Sequence, residues 1–122
     1  MEKLIYKNIT EKIIGSFYSV YNTLGSGFLE SVYEKALIIE FNERGLKTET
    51  QKPLVVKYHD KVVGEFRPDI IVEDKIIIEI KAISKLSKIH ESQILNYLKA
   101  TDLRLGFLVN FGEKLEYQRR IL

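Results

Sequence analysis

The sequence has no cysteine, so no disulfide framework and no thiolate metal site can exist. Its two histidines, His59 and His90, cannot build a His-rich zinc site alone. Only two prolines, Pro53 and Pro68, interrupt it, and no repeat, linker or low-complexity stretch divides it. No apolar run approaches the roughly 18 residues of a membrane-spanning helix. The N-terminal stretch MEKLIYKNITEK carries charges where a signal peptide needs an apolar core, so the expected location is the cytoplasm. An excess of charge of one sign is missing too: 19 Lys and Arg stand against 17 Asp and Glu, a net +2. That balance permits nucleic-acid binding without arguing for it.

What is present is a globular composition, 45% hydrophobic and 30% charged, over 122 residues. That is one domain's worth, with enough chain for a real core. Ile9, Ile13, Ile14, Phe17, Val20, Tyr21 and Leu24 recur at helical spacing over residues 8–24. Gly25-Ser26-Gly27 breaks that helix. A second helix is expected from about Leu29 to Arg44, with a stripe of Leu29, Val32, Tyr33, Ala36, Leu37 and Phe41. Gly45 suits its left-handed C-terminal position. Residues 46–51 are a short strand candidate. LVVKY (54–58), VVGEFRPDIIV (62–72) and KIIIEIKAI (75–83) are rich in β-branched residues and read as a three-strand meander. A third helix is expected over Lys88–Thr101, with Ile89, Ile94, Leu95 and Leu98 on the core. LRLGFLVNF (103–111) reads as a buried strand, and KLEYQRRIL as a last strand or a short tail element. The order α-α-β-β-β-α-β, with a final β optional, is an α/β layered domain with a mixed sheet.

Within the two most apolar strands stand Asp69, Glu79 and Lys81. A turn at Glu73-Asp74-Lys75 sets Val72 against Ile76 and Asp69 against Glu79. Directly opposite residues have Cβ atoms about 4.5–5.5 Å apart. Alternation then puts all three charges on one face. Two carboxylates that close repel, and burial costs several kcal/mol per ion. A divalent cation removes both penalties, and hard oxygen ligands select Mg²⁺ or Mn²⁺. Lys81 beside it supplies a fixed positive charge for an attacking water or a phosphate. The structural alternative is a salt-bridge cluster of the acids with Lys81 or Arg67, or a shifted register that exposes them.

Pro68-Asp69, nine residues, then Glu79-Ile80-Lys81 resembles the PD-(D/E)XK signature of a nuclease superfamily. GFLESVY (27–33) resembles the Gly-x-x-Glu-x-x-Tyr motif that names the small GxxExxY family, itself placed in that superfamily. QILNYLKAT followed by LGFLVNFG is also similar to that family's C-terminal half. The resemblance implies a restriction-endonuclease-like core: a central mixed sheet of about four strands flanked by helices. It implies a site with Asp69 and Glu79 as metal ligands, Lys81 as the catalytic lysine and Glu30 from the helix. Gln93 and Tyr97 match a Gln-x-x-x-Tyr pattern that follows the core in many members.

Tyr33 lies one turn beyond Glu30 and reads equally as a core aromatic or a supporting site residue. Gly27 reads as a backbone requirement, His90 as part of an exposed polar stripe, and Asn110 as a structural group bonding the backbone. Lys85, Lys88, Arg104, Arg119 and Arg120 line a phosphate track or are ordinary solvated charges. The expected function is a Mg²⁺- or Mn²⁺-dependent nuclease. The alternative is a silent nucleic-acid- or partner-binding module on the same fold. The small size also leaves room for a homodimer or a partner protein that supplies substrate contacts.

Overall fold

The computed structural model describes residues 6–122; residues 1–5, part of the charged N-terminal stretch, lie outside the described residues. Two helices come first. α1 spans Lys7–Leu24 and buries Ile13, Phe17 and Val20. It stops at Gly25, whose φ of 70° suits a residue without Cβ and whose N–H donates to Tyr21 O at 2.8 Å. α2 spans Glu30–Glu43 and buries Tyr33, Leu37 and Phe41, each four residues from the last. Its end is a Schellman closure. Gly45 takes φ 79°, its N–H donates to Asn42 O, and the Leu46 N–H donates to Phe41 O. Leu29, expected in the stripe of α2, is 76% exposed, because the helix starts one residue after it.

Seven strands follow: β1 (Thr48–Thr50), β2 (Leu54–Tyr58), β3 (Lys61–Phe66), β4 (Ile70–Val72), β5 (Ile76–Lys81), β6 (Leu105–Phe111) and β7 (Leu115–Ile121). α3, Lys88–Ala100, connects β5 to β6. Five strands form one sheet in the order β1-β4-β5-β6-β7. Only β5 and β6 run parallel, and every other pair in it is antiparallel. The fold is therefore the mixed α/β sheet with flanking helices expected of a restriction-endonuclease-like core.

The expected meander is corrected in one respect. The run 62–72 is two strands in two different sheets: β3 pairs with β2 in a separate hairpin, while β4 pairs with β1 and β5. Arg67-Pro68 divides them. Proline has no N–H to give a ladder and restricts the residue before it, so pairing stops and restarts in a new direction.

The sheet is covered on both faces. Ile70, Val72, Ile76, Ile78, Ile80, Phe107 and Val109 pack against α1 and α2. The opposite parity, Ile71, Ile77 and Leu108, is buried on the α3 side with Ile94 and Leu98. Gly106 lets α3 approach: a Cβ there would lie 2.9 Å from Ile94 Cδ1. Ile89, expected in the core, is 78% exposed, because α3 turns only its Ile94 and Leu98 side fully inward.

Candidate active site

The register of β4 and β5 decides where the charges go. Val72 pairs with Ile76, Ile71 with Ile77 and Ile70 with Ile78. Glu73 and Asp74 make the turn in left-handed conformations, closed by Lys75 N–H donating to Val72 O at 3.0 Å. One residue past the last pair, Asp69 comes opposite Glu79. There its side chain takes over from the ladder, as Asp69 Oδ2 accepts the Ile80 N–H at 2.7 Å. Glu79 and Lys81 share the parity of Ile77 and so face α3.

The electrostatics are severe for carboxylates. Glu79 is pushed up to about 8, first by burial and next by the charge of Asp69; Lys81 and the Asp69 backbone N–H act against this shift. Asp69 is also raised, by burial above all, with Glu30 adding to it and the Ile80 hydrogen bond and Lys81 opposing. Glu79 Oε1 is buried and has no hydrogen-bond partner. The salt-bridge alternative through Arg67 does not form with these acids: Arg67 pairs with Glu65 at 3.0 Å.

Glu30 arrives from the other side of the sheet end. It opens α2, and with Ser31, Glu34 and Asp69 it lines a cleft of about 190 Å³ floored by Ile80. Its charge acts on both Asp69 and Glu79. Glu34, one turn on, is a site residue the sequence reading missed. Burial raises it first, Asp69 next, and a hydrogen bond from Gln51 acts against them. Its signal was available as a second acid at i+4 from Glu30, on the same helix face.

From α3, Tyr97 reaches the same centre. Burial and then the charge of Glu79 raise its hydroxyl pKa, while a hydrogen bond with Gln93 opposes them. Its ring stacks on Phe66 at 3.9 Å between centroids, which ties the β2–β3 hairpin to α3. Tyr33 does not face the centre. It is fully buried and stacked on Phe111 at 4.4 Å. Its hydroxyl donates to Gly25 O at 2.6 Å and accepts the Phe28 N–H at 3.3 Å, so it holds the loop that delivers Glu30. Gly27 has φ 105°, a backbone requirement. His90 caps α3, accepting the Ser87 N–H on Nδ1 at 3.1 Å. Asn110 clamps Ile83 in both directions, each bond 2.9 Å, and so fixes the chain just past Lys81. Arg120 is held by Glu91 and Gln118 and is structural rather than part of a phosphate track.

Among the described residues no group of three or more His, Asp and Glu stands ready to hold a metal by itself. What the chain presents is a pair of crowded acids, two more acids from α2, and a lysine.

A family model described as the PD-(D/E)XK nuclease superfamily matches residues 7–121. The chain belongs to that superfamily. Among solved structures it is similar to SSO0001, at 19% identity and a TM-score of 0.59, over 75% of this chain and 50% of that one. The chain thus spans half the length of that protein, and the likeness is one of fold. No curated protein matches the sequence. None of the helices among the described residues is long and apolar enough to cross a membrane.

Proposed function

We propose that this protein is a divalent-metal-dependent nuclease of the GxxExxY group, hydrolysing phosphodiester bonds of nucleic acid. GFLESVY supports the group assignment, since its tyrosine holds the loop and its glutamate opens the helix at the cleft. The observation that carries the reading is Glu79: a carboxylate buried beside a second carboxylate, with one oxygen unpartnered. A sheet interior has no structural use for that pair, and an oxygen-only donor set fits Mg²⁺ or Mn²⁺. Asp69 and Glu79 would hold the ion, with waters and substrate oxygens completing its shell, as is usual for Mg²⁺. Bound there, it would supply Lewis acidity at the scissile phosphate and a more acidic water.

The chain's own groups do the rest. Lys81 places an ammonium on the same strand face as Glu79, where it orients water and offsets charge on the phosphate. Gln93 and Tyr97 border the centre from α3 and position the lysine or a phosphate oxygen. Glu30 and Glu34 line the approach from α2 and order the water that enters there.

The test is cleavage of single-stranded, double-stranded and branched DNA and RNA with Mg²⁺ or Mn²⁺. Lys81→Ala should lower turnover by about 10²–10³-fold. Binding of substrate should change little, as one phosphate contact among several is a small share. If the wild type cleaves none of these substrates yet binds them as tightly as Lys81→Ala, the protein is a binding module instead.

A further inference from the structure

The two edges of the main sheet are unequal. β1 is three residues long, whereas β7 runs for seven, Leu115–Ile121, and pairs only with β6 among the described residues. Long open edges are templates for further pairing.

The parity of the outer edge follows from one hydrogen bond. Leu122 N–H donates to Arg104 O, and Arg104 is the position opposite Leu122 in the β6–β7 register. Residues of that parity, Glu116, Gln118 and Arg120, turn their backbone groups toward β6. Leu115, Tyr117, Arg119 and Ile121 therefore turn theirs outward. Arg119 O agrees with this: it accepts a hydrogen bond from the guanidinium of Arg120.

We propose that β7 is a homodimer interface, pairing antiparallel with β7 of a second copy about a twofold axis at Gln118. Only registers that set outward residues against outward residues can form a ladder. Of these, the Gln118-centred one uses the whole strand. It sets Leu115 against Ile121 and Tyr117 against Arg119 as hydrogen-bonded pairs. Between them, Glu116 meets Arg120 of the second copy, and by symmetry Arg120 meets Glu116. Centring on Arg119 would set the two arginines face to face, and centring on Tyr117 would set Lys114 against Arg120. Charge therefore selects the central register. To make the Glu116–Arg120 pair, Arg120 exchanges its bonds to Glu91, Gln118 and Arg119 O, and Glu116 its bond from Asn110, for the opposing partner. The two five-stranded sheets become one continuous sheet. The acidic centre lies at β4 and β5, away from this edge, so both centres stay open and face the same side of the joined sheet.

The absence of cysteine makes a clean test possible. Opposite residues in a non-hydrogen-bonded pair have Cα atoms about 4.5 Å apart, within the span a disulfide bridges. Gln118→Cys should therefore oxidise rapidly to a disulfide-linked dimer, whereas Asn22→Cys, exposed on α1, should not. Light scattering of the wild type should give twice the chain mass at about 100 µM, within reach of a small interface. Arg120→Glu should abolish that dimer, and Glu116→Arg combined with Arg120→Glu should restore it, with circular dichroism checking the fold. A monomeric wild type whose Gln118→Cys variant links no faster than Asn22→Cys would overturn the proposal. The arginines would then be guards that blunt the edge.

Discussion

At the scale of the residue, Glu79 sets the terms. Its folded pKa of about 8 lies above its ordinary value of 4.5, so the native state binds its proton more tightly than the unfolded chain does. Stability from this group is full below pH 4.5 and is lost as the pH rises toward 8. Each tenfold difference in proton affinity corresponds to about 1.4 kcal/mol, so the loss across that window is several kcal/mol. Glu79→Gln keeps the shape and removes the charge. It should flatten the fall and leave the metal-free variant more stable than wild type at pH 8, as read from urea unfolding at a series of pH values. Asp69→Asn should act in the same direction, since its side-chain oxygen still accepts the Ile80 N–H. A wild type whose stability does not decline over that window would remove the crowded-carboxylate account. Mg²⁺ should release protons on binding near neutral pH, because the ligand must be ionised to coordinate. Calorimetry in two buffers of different ionisation enthalpy measures that release, and none would be seen if Glu79 were already ionised.

At the scale of the element, the end of β5 is held by a side chain from β6. Asn110 gives one bond and takes one bond from the Ile83 backbone, while Gly112 lets that chain pass close: a Cβ there would lie 2.4 Å from Ile83 O. Asn110→Ala leaves an N–H and a carbonyl without partners. It should cost about 2–3 kcal/mol and lower turnover, because Lys81 lies two residues upstream. Asn110→Asp loses the donor and buries a carboxylate against Ile83 O and Glu116, so at neutral pH it should cost more than Asn110→Ala. Equal stability of Asn110→Ala and wild type in thermal melts would show that the clamp is idle. The loop before α2 is held in a comparable way by the Tyr33 hydroxyl. Tyr33→Phe should therefore displace Glu30 while leaving the ring stacked on Phe111. Activity should fall by more than the melting temperature suggests.

At the scale of the molecule, stability is not uniform. β5 is covered on both faces by helices, whereas the β2–β3 hairpin stands outside the main sheet, with Val55, Tyr58, Val62 and Val63 exposed. The Phe66–Tyr97 stack links it to α3. Native-state hydrogen exchange should be slowest in β5 and β6 and markedly faster across Leu54–Phe66. Phe66→Ala should speed exchange in the hairpin further without moving β5. A hairpin that exchanges as slowly as β5 would mean the two sheets open as one unit.

Much of the centre was legible in the order of residues. The pairing of Asp69 with Glu79 depends on a short turn and on side-chain alternation, both local, and a slip of β5 by one residue would turn Glu79 and Lys81 into the apolar α1–α2 core in place of its isoleucines. Gly45 could be read for the same reason, since it answers a backbone need set by its immediate neighbours; Asn110 reads as structural, but its partner Ile83 lies on a distant segment. Tertiary structure alone decided what depends on distant segments meeting. The break at Pro68 was visible, but not that β3 would leave the sheet that β4 joins. Leu29 and Ile89 carry apolar side chains at helical spacing, yet Leu29 stands just before α2 begins and Ile89 lies off the side of α3 that turns inward. Glu34 came to line the cleft beside Asp69, and Tyr97 came to bear on Glu79, only because α2 and α3 close over the same strand ends from opposite sides. The raised pKa of Glu79 comes from burial first, then Asp69, with Glu30 adding to it, and burial and neighbouring charge are properties of the assembled fold and not of the strand that carries the glutamate.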